Sequence, residues 1–121
     1  MIPKFRIYCY ETQEMIVARD YRELVELFAG LDADDSLYSD LMQSTGLFDV
    51  NGKEIFEGDV VKLVDEYNDS VVSVVTFQNG ATGMTADGIF VPFAAMSILS
   101  QVEYTLEIIG NIYKNPELME E

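Results

Sequence analysis

The chain has 121 residues, 22 of them acidic and 7 basic, for a net charge of −15. A hydrophobic fraction of 49%, with seven Phe and seven Tyr, supports one real core, while the length excludes two full domains. The lack of histidine excludes Ser-His-Asp, Cys-His and His-metal chemistry, and the lone Cys9 excludes an internal disulfide or a thiolate zinc cluster.

The acidity is not a tail. Residues 1–60 carry −8 and residues 61–121 carry −7, and no Lys or Arg occurs from Leu63 to Tyr113. Such a surface repels phosphate backbones and anionic membranes, so direct binding to nucleic acid or membrane is not expected. Apolar runs are short and broken by Gly, Pro or acids, so no membrane-spanning helix is expected. Met1–Tyr10 lacks the apolar stretch of a secretory leader, and a single cysteine suits a reducing cytoplasm.

In chain order, Phe5, Ile7 and Cys9 alternate with Arg6, Tyr8 and Tyr10, the period of a half-buried strand. Glu11–Glu14 reads as a turn and Met15–Ala18 as the returning strand of a hairpin. Asp20, three residues before Glu23, opens a capping-box-like helix start. Leu24, Leu27, Phe28 and Leu31 recur at helical spacing, and Gly30 is a natural stop, so a short helix is predicted over residues 20–29. Asp32–Asp35 reads as an acidic loop, and Leu37–Gln43 fits either strand or helix.

The second half is β-rich. Asn51-Gly52 and Asn79-Gly80 are hairpin signals, and Gly58-Asp59 and Asp87-Gly88 are further turns. They bound strands at Val60–Val64, Val71–Phe77, Ala81–Met84, Ile89–Val91 and Tyr104–Tyr113. Pro92–Leu99 reads as a brief irregular or helical piece, and Pro116 closes the chain's last element. Short strands at this spacing predict a small barrel.

Candidate chemistry is thin. Asp32-Ala-Asp-Asp-Ser36 has neither the Gly nor the Glu that an EF-hand loop needs at its sixth and twelfth positions, where Leu37 and Gln43 stand; it reads as a solvated loop. Glu54, Glu57 and Asp59 cluster near one turn, where Gly58 permits positive φ and Asp59 accepts turn N–H groups; turn chemistry is the preferred reading over acid–base catalysis. Ser44-Thr45-Gly46 lacks the lead-in and lysine of a phosphate loop and reads as a plain turn. Cys9 reads as a small core residue, and the aromatics as core rather than a base-stacking platform.

Leu41-Met-Gln-Ser-Thr-Gly-Leu-Phe-Asp-Val-Asn-Gly-Lys-Glu-Ile-Phe-Glu-Gly-Asp-Val-Val61 resembles the central motif of the YopX-like proteins of bacteriophages and prophages. Lys4-Phe-Arg6 is similar to the family's opening, and Glu107-Ile-Ile-Gly-Asn-Ile-Tyr-Lys-Asn-Pro-Glu-Leu118 to its closing motif. Phe77–Ala81 sits where such proteins often turn a short hairpin. Many relatives continue the opening with Ala-Trp-Asp, where this chain has Ile7-Tyr8-Cys9, and residues 10–40 are the variable part.

The resemblance implies a mainly β (α+β) fold: one YopX-like domain with an N-terminal α+β portion over 1–45 and an SH3-like barrel over 46–121. It carries over no catalytic residue, cofactor or metal, and implies the cytoplasm of a bacterial host. The expected role is a phage accessory protein that binds protein partners, self-associates and does no catalysis. Gln43, Ser44, Thr45, Glu54, Glu57 and Asp59 are its candidate contact surface, although for Gln43, Ser44 and Thr45 the preferred reading is as buried hydrogen-bond partners for a loop. The alternative is an acidic nucleic-acid mimic that inhibits a host DNA-binding protein. A carboxylate-based hydrolase or lyase has only the abundance of acids behind it. The predicted helix serves either as a core staple or as a dimer contact.

Overall fold

Period-2 sequence dominates, and the computed structural model, which describes residues 4–33, 35–65, 67–78, 80–86, 88–93 and 104–119, is mainly β. The chain divides into two units, Met1–Ser44 and Thr45–Glu121.

In the first unit, β1 (Phe5–Cys9) and β2 (Glu14–Ala18) form an antiparallel hairpin, Phe5 facing Ala18 and Cys9 facing Glu14. Gln13, at φ 58°, closes the loop by donating its N–H to the Cys9 carbonyl at 2.8 Å. The other edge of β1 pairs with the start of β3 (Met42–Phe48) through Arg6–Met42 and Phe5–Gln43. Asp20 caps α1 (Tyr21–Ala33), its carboxylate accepting the Glu23 N–H at 2.8 Å and its carbonyl the Leu24 N–H at 3.0 Å. Leu24 and Leu27 bury against Ile7 and Ala18, with Phe5, Leu31, Tyr38 and Leu41 around them.

The helix runs past its expected stop. Gly30 lies inside α1, and Asp32 belongs to the last turn rather than a loop. Partial burial of Leu31 supplies the reason. Full burial of a leucine is worth about 1.5–3 kcal/mol, so half of that, with the bonds of another turn, offsets the roughly 1 kcal/mol cost of a helical glycine. The segment read as either strand or helix resolves into a single 3-10 turn (Asp35–Leu37), an isolated bridge from Tyr38 to Cys9, and β3. Ser44–Gly46 is therefore strand and not a plain turn, although Gly46 takes φ 78°.

In the second unit, β4 (Glu54–Phe56) precedes a meander of β5 (Asp59–Asp65), β6 (Ser70–Gln78), β7 (Ala81–Ala86) and β8 (Ile89–Pro92), and β9 (Tyr104–Asn111) returns beside β5. The order is β8-β7-β6-β5-β9, antiparallel throughout, curled into a half-barrel. Its core is Ile55, Val61, Val75, Met84 and Phe93, with Leu63, Leu106 and Ile108 at the margin. Val60 faces Gly110 but Val61 faces Ile108, so β9 carries one extra residue, a bulge. Of the piece expected over Pro92–Leu99, only Pro92 and Phe93 lie among the described residues.

Two glycines carry opposite constraints. A Cβ on Gly30 would find only the Tyr38 hydroxyl, at 4.0 Å. A Cβ on Gly83 would run into the Val91 carbonyl oxygen and Pro92 Cα (2.7 Å), where β8 lies close over β7. Gly30→Ala is therefore expected to stabilise the protein by about 0.5–1 kcal/mol through helix propensity. Gly83→Ala should destabilise it by about 1–3 kcal/mol through overpacking. Urea unfolding of both variants checks the opposite signs.

Candidate functional site

The best-defined polar arrangement is built on Asp49, at the end of the β3 strand. Its side chain is buried, 7% exposed. One carboxylate oxygen accepts the N–H groups of Asn51 (2.9 Å) and Lys53 (2.8 Å), and the other accepts the N–H of Ile108 on β9 (3.0 Å). The backbone completes the loop: Asp49 N–H donates to Lys53 O and Gly52 N–H to Asp49 O, with Gly52 at φ 80°. The neighbouring Val50 N–H donates to the Leu106 carbonyl at 2.8 Å. One turn thus closes the β3–β4 hairpin and fastens it to β9, 59 residues later.

Burial by itself raises the Asp49 carboxyl. The three N–H donors, from Ile108, Lys53 and Asn51, and then the Lys53 charge, outweigh it and hold the group below its ordinary value of 3.8. Asp65 repeats the local half of the device. Its carboxylate accepts the N–H groups of Tyr67 and Asp69, and Asn68 takes the positive φ that Gly52 takes in the first turn.

Beside this turn lies a groove of about 690 Å³, lined by Thr45, Leu47, Phe48, Val50, Thr82, Phe93, Tyr104, Thr105 and Leu106 as well as Asp49. Phe48 and Val50 are each 60% exposed and Leu47 43%. The expectation that the aromatics are core fails here and at Tyr21, Tyr67 and Phe77, all exposed, because residue type alone does not say which face of a strand or helix meets water.

Of the residues expected to form a contact surface, Thr45 and Asp59 have side chains that bond to backbone. The Thr45 hydroxyl donates to the Ile55 carbonyl at 2.7 Å and accepts the Leu47 N–H, and Thr45 also lines the groove. Asp59, 2% exposed, accepts the Phe56 N–H at 2.8 Å across the Glu57-Gly58 turn, where Gly58 has φ 85°. Glu54 is half-buried in β4 before that turn and Glu57 half-buried within it, and Gln43 and Ser44 are half-buried in β3, where the Ser44 N–H donates to the Lys4 carbonyl. Cys9 is buried, and the Thr12 hydroxyl and N–H draw its thiol below the usual 9.0. Among the described residues no three Asp, Glu or Cys side chains gather as metal ligands, and no helix is long and apolar enough to cross a membrane. The reach of Asp49 to β9 escapes the sequence reading: the Asp-x-Asn-Gly pattern signals the turn, but nothing in it names Ile108.

Residues 4–120 match the family described as YopX protein, so the chain belongs to the YopX family. Over 73 residues it is 36% identical to the SPbeta prophage-derived uncharacterized protein YopX of Bacillus subtilis (strain 168), a stretch covering 59% of this chain and 54% of that one. The chain thus spans about half the length of the curated relative it matches. It is similar to the crystal structure of protein EF1440 from Enterococcus faecalis, with a TM-score of 0.62, 25% identity and 99% of each chain covered.

The Asp49 carboxylate makes acid lability a specific expectation. Because its folded pKa is lowered, its contribution is complete above the ordinary carboxylate range and is lost as pH falls through the folded value. Asp49→Ala, which leaves buried N–H groups without acceptors, is expected to cost about 1–3 kcal/mol at neutral pH. The stability difference between Asp49→Ala and the parent should narrow below about pH 4, measured by urea unfolding at stepped pH.

Proposed function

We propose that this YopX-family protein is a non-catalytic prophage accessory protein that acts by protein binding in the bacterial cytoplasm, and that its first partner is a second copy of itself. The observation that carries this reading is the groove beside the Asp49 turn. Leu47, Phe48 and Val50 stand exposed on a hairpin fastened by backbone bonds, so the patch is held rigid rather than loosely displayed. Contiguous apolar surface of that kind marks an interaction site more often than a bare face.

Charge supports the choice of partner. Two copies carrying −15 each repel over most of their surface. Among the described residues the groove lining contains a single carboxylate, Asp49, and that one is engaged with three N–H groups. Close approach of two acidic copies is least opposed where free charge is absent. A non-catalytic role is supported by the same lining: among the described residues it has no second acid to pair with Asp49, whose pKa is moved down rather than up. Thr45 is the one residue of the expected contact set that lines this groove. The half-barrel of Thr45–Glu121, entered through the tight Glu57-Gly58-Asp59 turn, supports reading it as a form of SH3-like barrel within one YopX-like domain.

Light scattering after gel filtration tests the reading. The parent is expected to run as a defined oligomer, and the Phe48→Ser/Val50→Ser pair as a 13.6 kDa monomer with unchanged thermal stability. A monomeric parent would overturn self-association. A salt-labile complex with a basic DNA-binding protein would favour the acidic-mimic alternative instead.

A further inference from the structure

A smaller cavity, of about 190 Å³, lies in the first unit between β2 and α1. Ile16, Val17, Ala18, Leu27, Leu31 and Tyr38 form its walls, and Glu23 and Glu26 border it from the helix, with Gly30 beside them. We propose that this cavity is a receptor for one cationic side chain, lysine or arginine, of a partner protein: the apolar walls take the methylene stem and Glu23 and Glu26 take the charge.

Size sets the class of occupant. The cavity is several times the roughly 30 Å³ share of one water and below the roughly 300–1,000 Å³ of typical small-molecule sites. It suits a single side chain. Chemistry then narrows the choice. Lysine and arginine bury an aliphatic stem while keeping the charged head at a polar rim, and this cavity joins hydrocarbon walls to two glutamates one helical turn apart, Glu23 half-buried and Glu26 exposed. No cation among the described residues forms an ion pair with either carboxylate. Glu23 has a partial structural explanation in the first turn, where a negative charge complements the helix dipole. Glu26 lies beyond that turn and is exposed.

Gly30 supplies a separate observation. It sits within the last turn of α1 at a cost in propensity, does not take positive φ, and is not crowded by backbone, its nearest neighbour being the Tyr38 hydroxyl at 4.0 Å from where a Cβ would stand. What its missing side chain does is leave the cavity open. The net charge of −15 would draw a basic partner toward the protein from a distance, and the cavity would then hold one of its side chains. This cavity shares no lining residue with the groove at Phe48, so either site can fail without the other.

The test is titration of the 15N-labelled full chain with a doubly capped peptide, Gly-Thr-Arg-Thr-Gly, and its citrulline and norleucine counterparts, at 150 mM salt. The arginine peptide is expected to shift the amides of Ala18, Leu27, Gly30, Leu31 and Tyr38. Glu23→Gln/Glu26→Gln should weaken binding at least tenfold, and so should replacing the arginine by citrulline or norleucine. Gly30→Leu, which fills the cavity with a good helix former, should abolish these shifts while helix content by circular dichroism is kept. Shifts scattered over the acidic surface, shifts that survive Gly30→Leu, or no binding would overturn the proposal. Equal binding of free butylamine would overturn the assignment of a protein side chain as the occupant.

Discussion

The second unit depends on one buried carboxylate. Asp49 is nearly out of water, a position that costs several kcal/mol for an uncompensated charge. Three backbone N–H groups compensate it, and each such charge-assisted bond is worth about 1.5–3 kcal/mol net. Two of them only shape the hairpin loop; the third crosses to Ile108 on β9. That third bond turns a local device into a long-range one, as the comparison with Asp65 makes plain. Asp65 shapes the same kind of loop and stays local. The bulge on β9 falls between Ile108 and Gly110, directly after the residue whose N–H Asp49 takes, so strand irregularity and carboxylate meet at one place.

The same economy runs through the other motif residues. Thr45 ties β3 to the Ile55 carbonyl, Asp59 caps the entry to β5, and the Gly58 N–H reaches the Val75 carbonyl while its own carbonyl accepts from Ile112. At the far end, Asn111 accepts the N–H groups of Tyr113 and Lys114, and Asn115 and Leu118 pack so near Gly110 that a Cβ there would stand 2.6 Å from each. Thr45, Asp59 and Asn111, whose polar side chains look like chemistry in the sequence, are thus engaged with backbone. The contrast is with the exposed side chains of Phe48, Val50 and Glu26 and with Gly30, whose missing side chain no backbone crowding requires.

Local signals were legible, and reach was not. The Phe5–Cys9 strand itself, the Asp20 cap and the positive φ at Gly52, Gly58, Gly80 and Gly88 follow from short-range rules that need only neighbouring residues, but the half-buried alternation expected of β1 fails, because Arg6 and Tyr8 are buried along with Ile7 and Cys9. Gly30 misled because its stop signal competes with Leu31, whose burial is a tertiary fact. Ser44–Gly46 misled because a Ser-Thr-Gly string reads as a loop until partners far from it in the chain are known, such as the Lys4 carbonyl that accepts the Ser44 N–H. The two cavities were invisible for a related reason. The groove gathers Thr45, Thr82 and Tyr104 from three distant strands, and no spacing in the chain announces that meeting.

Placement of charge connects these features to function. An acidic protein of this size resists contact with copies of itself and with nucleic acid alike, so any interface must either be free of unpaired acids or meet a cation. The groove satisfies the first condition, because its carboxylate is neutralised internally by peptide dipoles rather than by a mobile side chain. The cavity between β2 and α1 satisfies the second, because Glu23 and Glu26 line it together with apolar side chains. Protonation separates the two: groove geometry depends on a carboxylate held ionised well below neutral pH, whereas attraction at Glu23 and Glu26 is screened by salt in proportion to their exposure. Acid should therefore disturb the first surface through the fold itself, and ionic strength should weaken the second while leaving the fold alone.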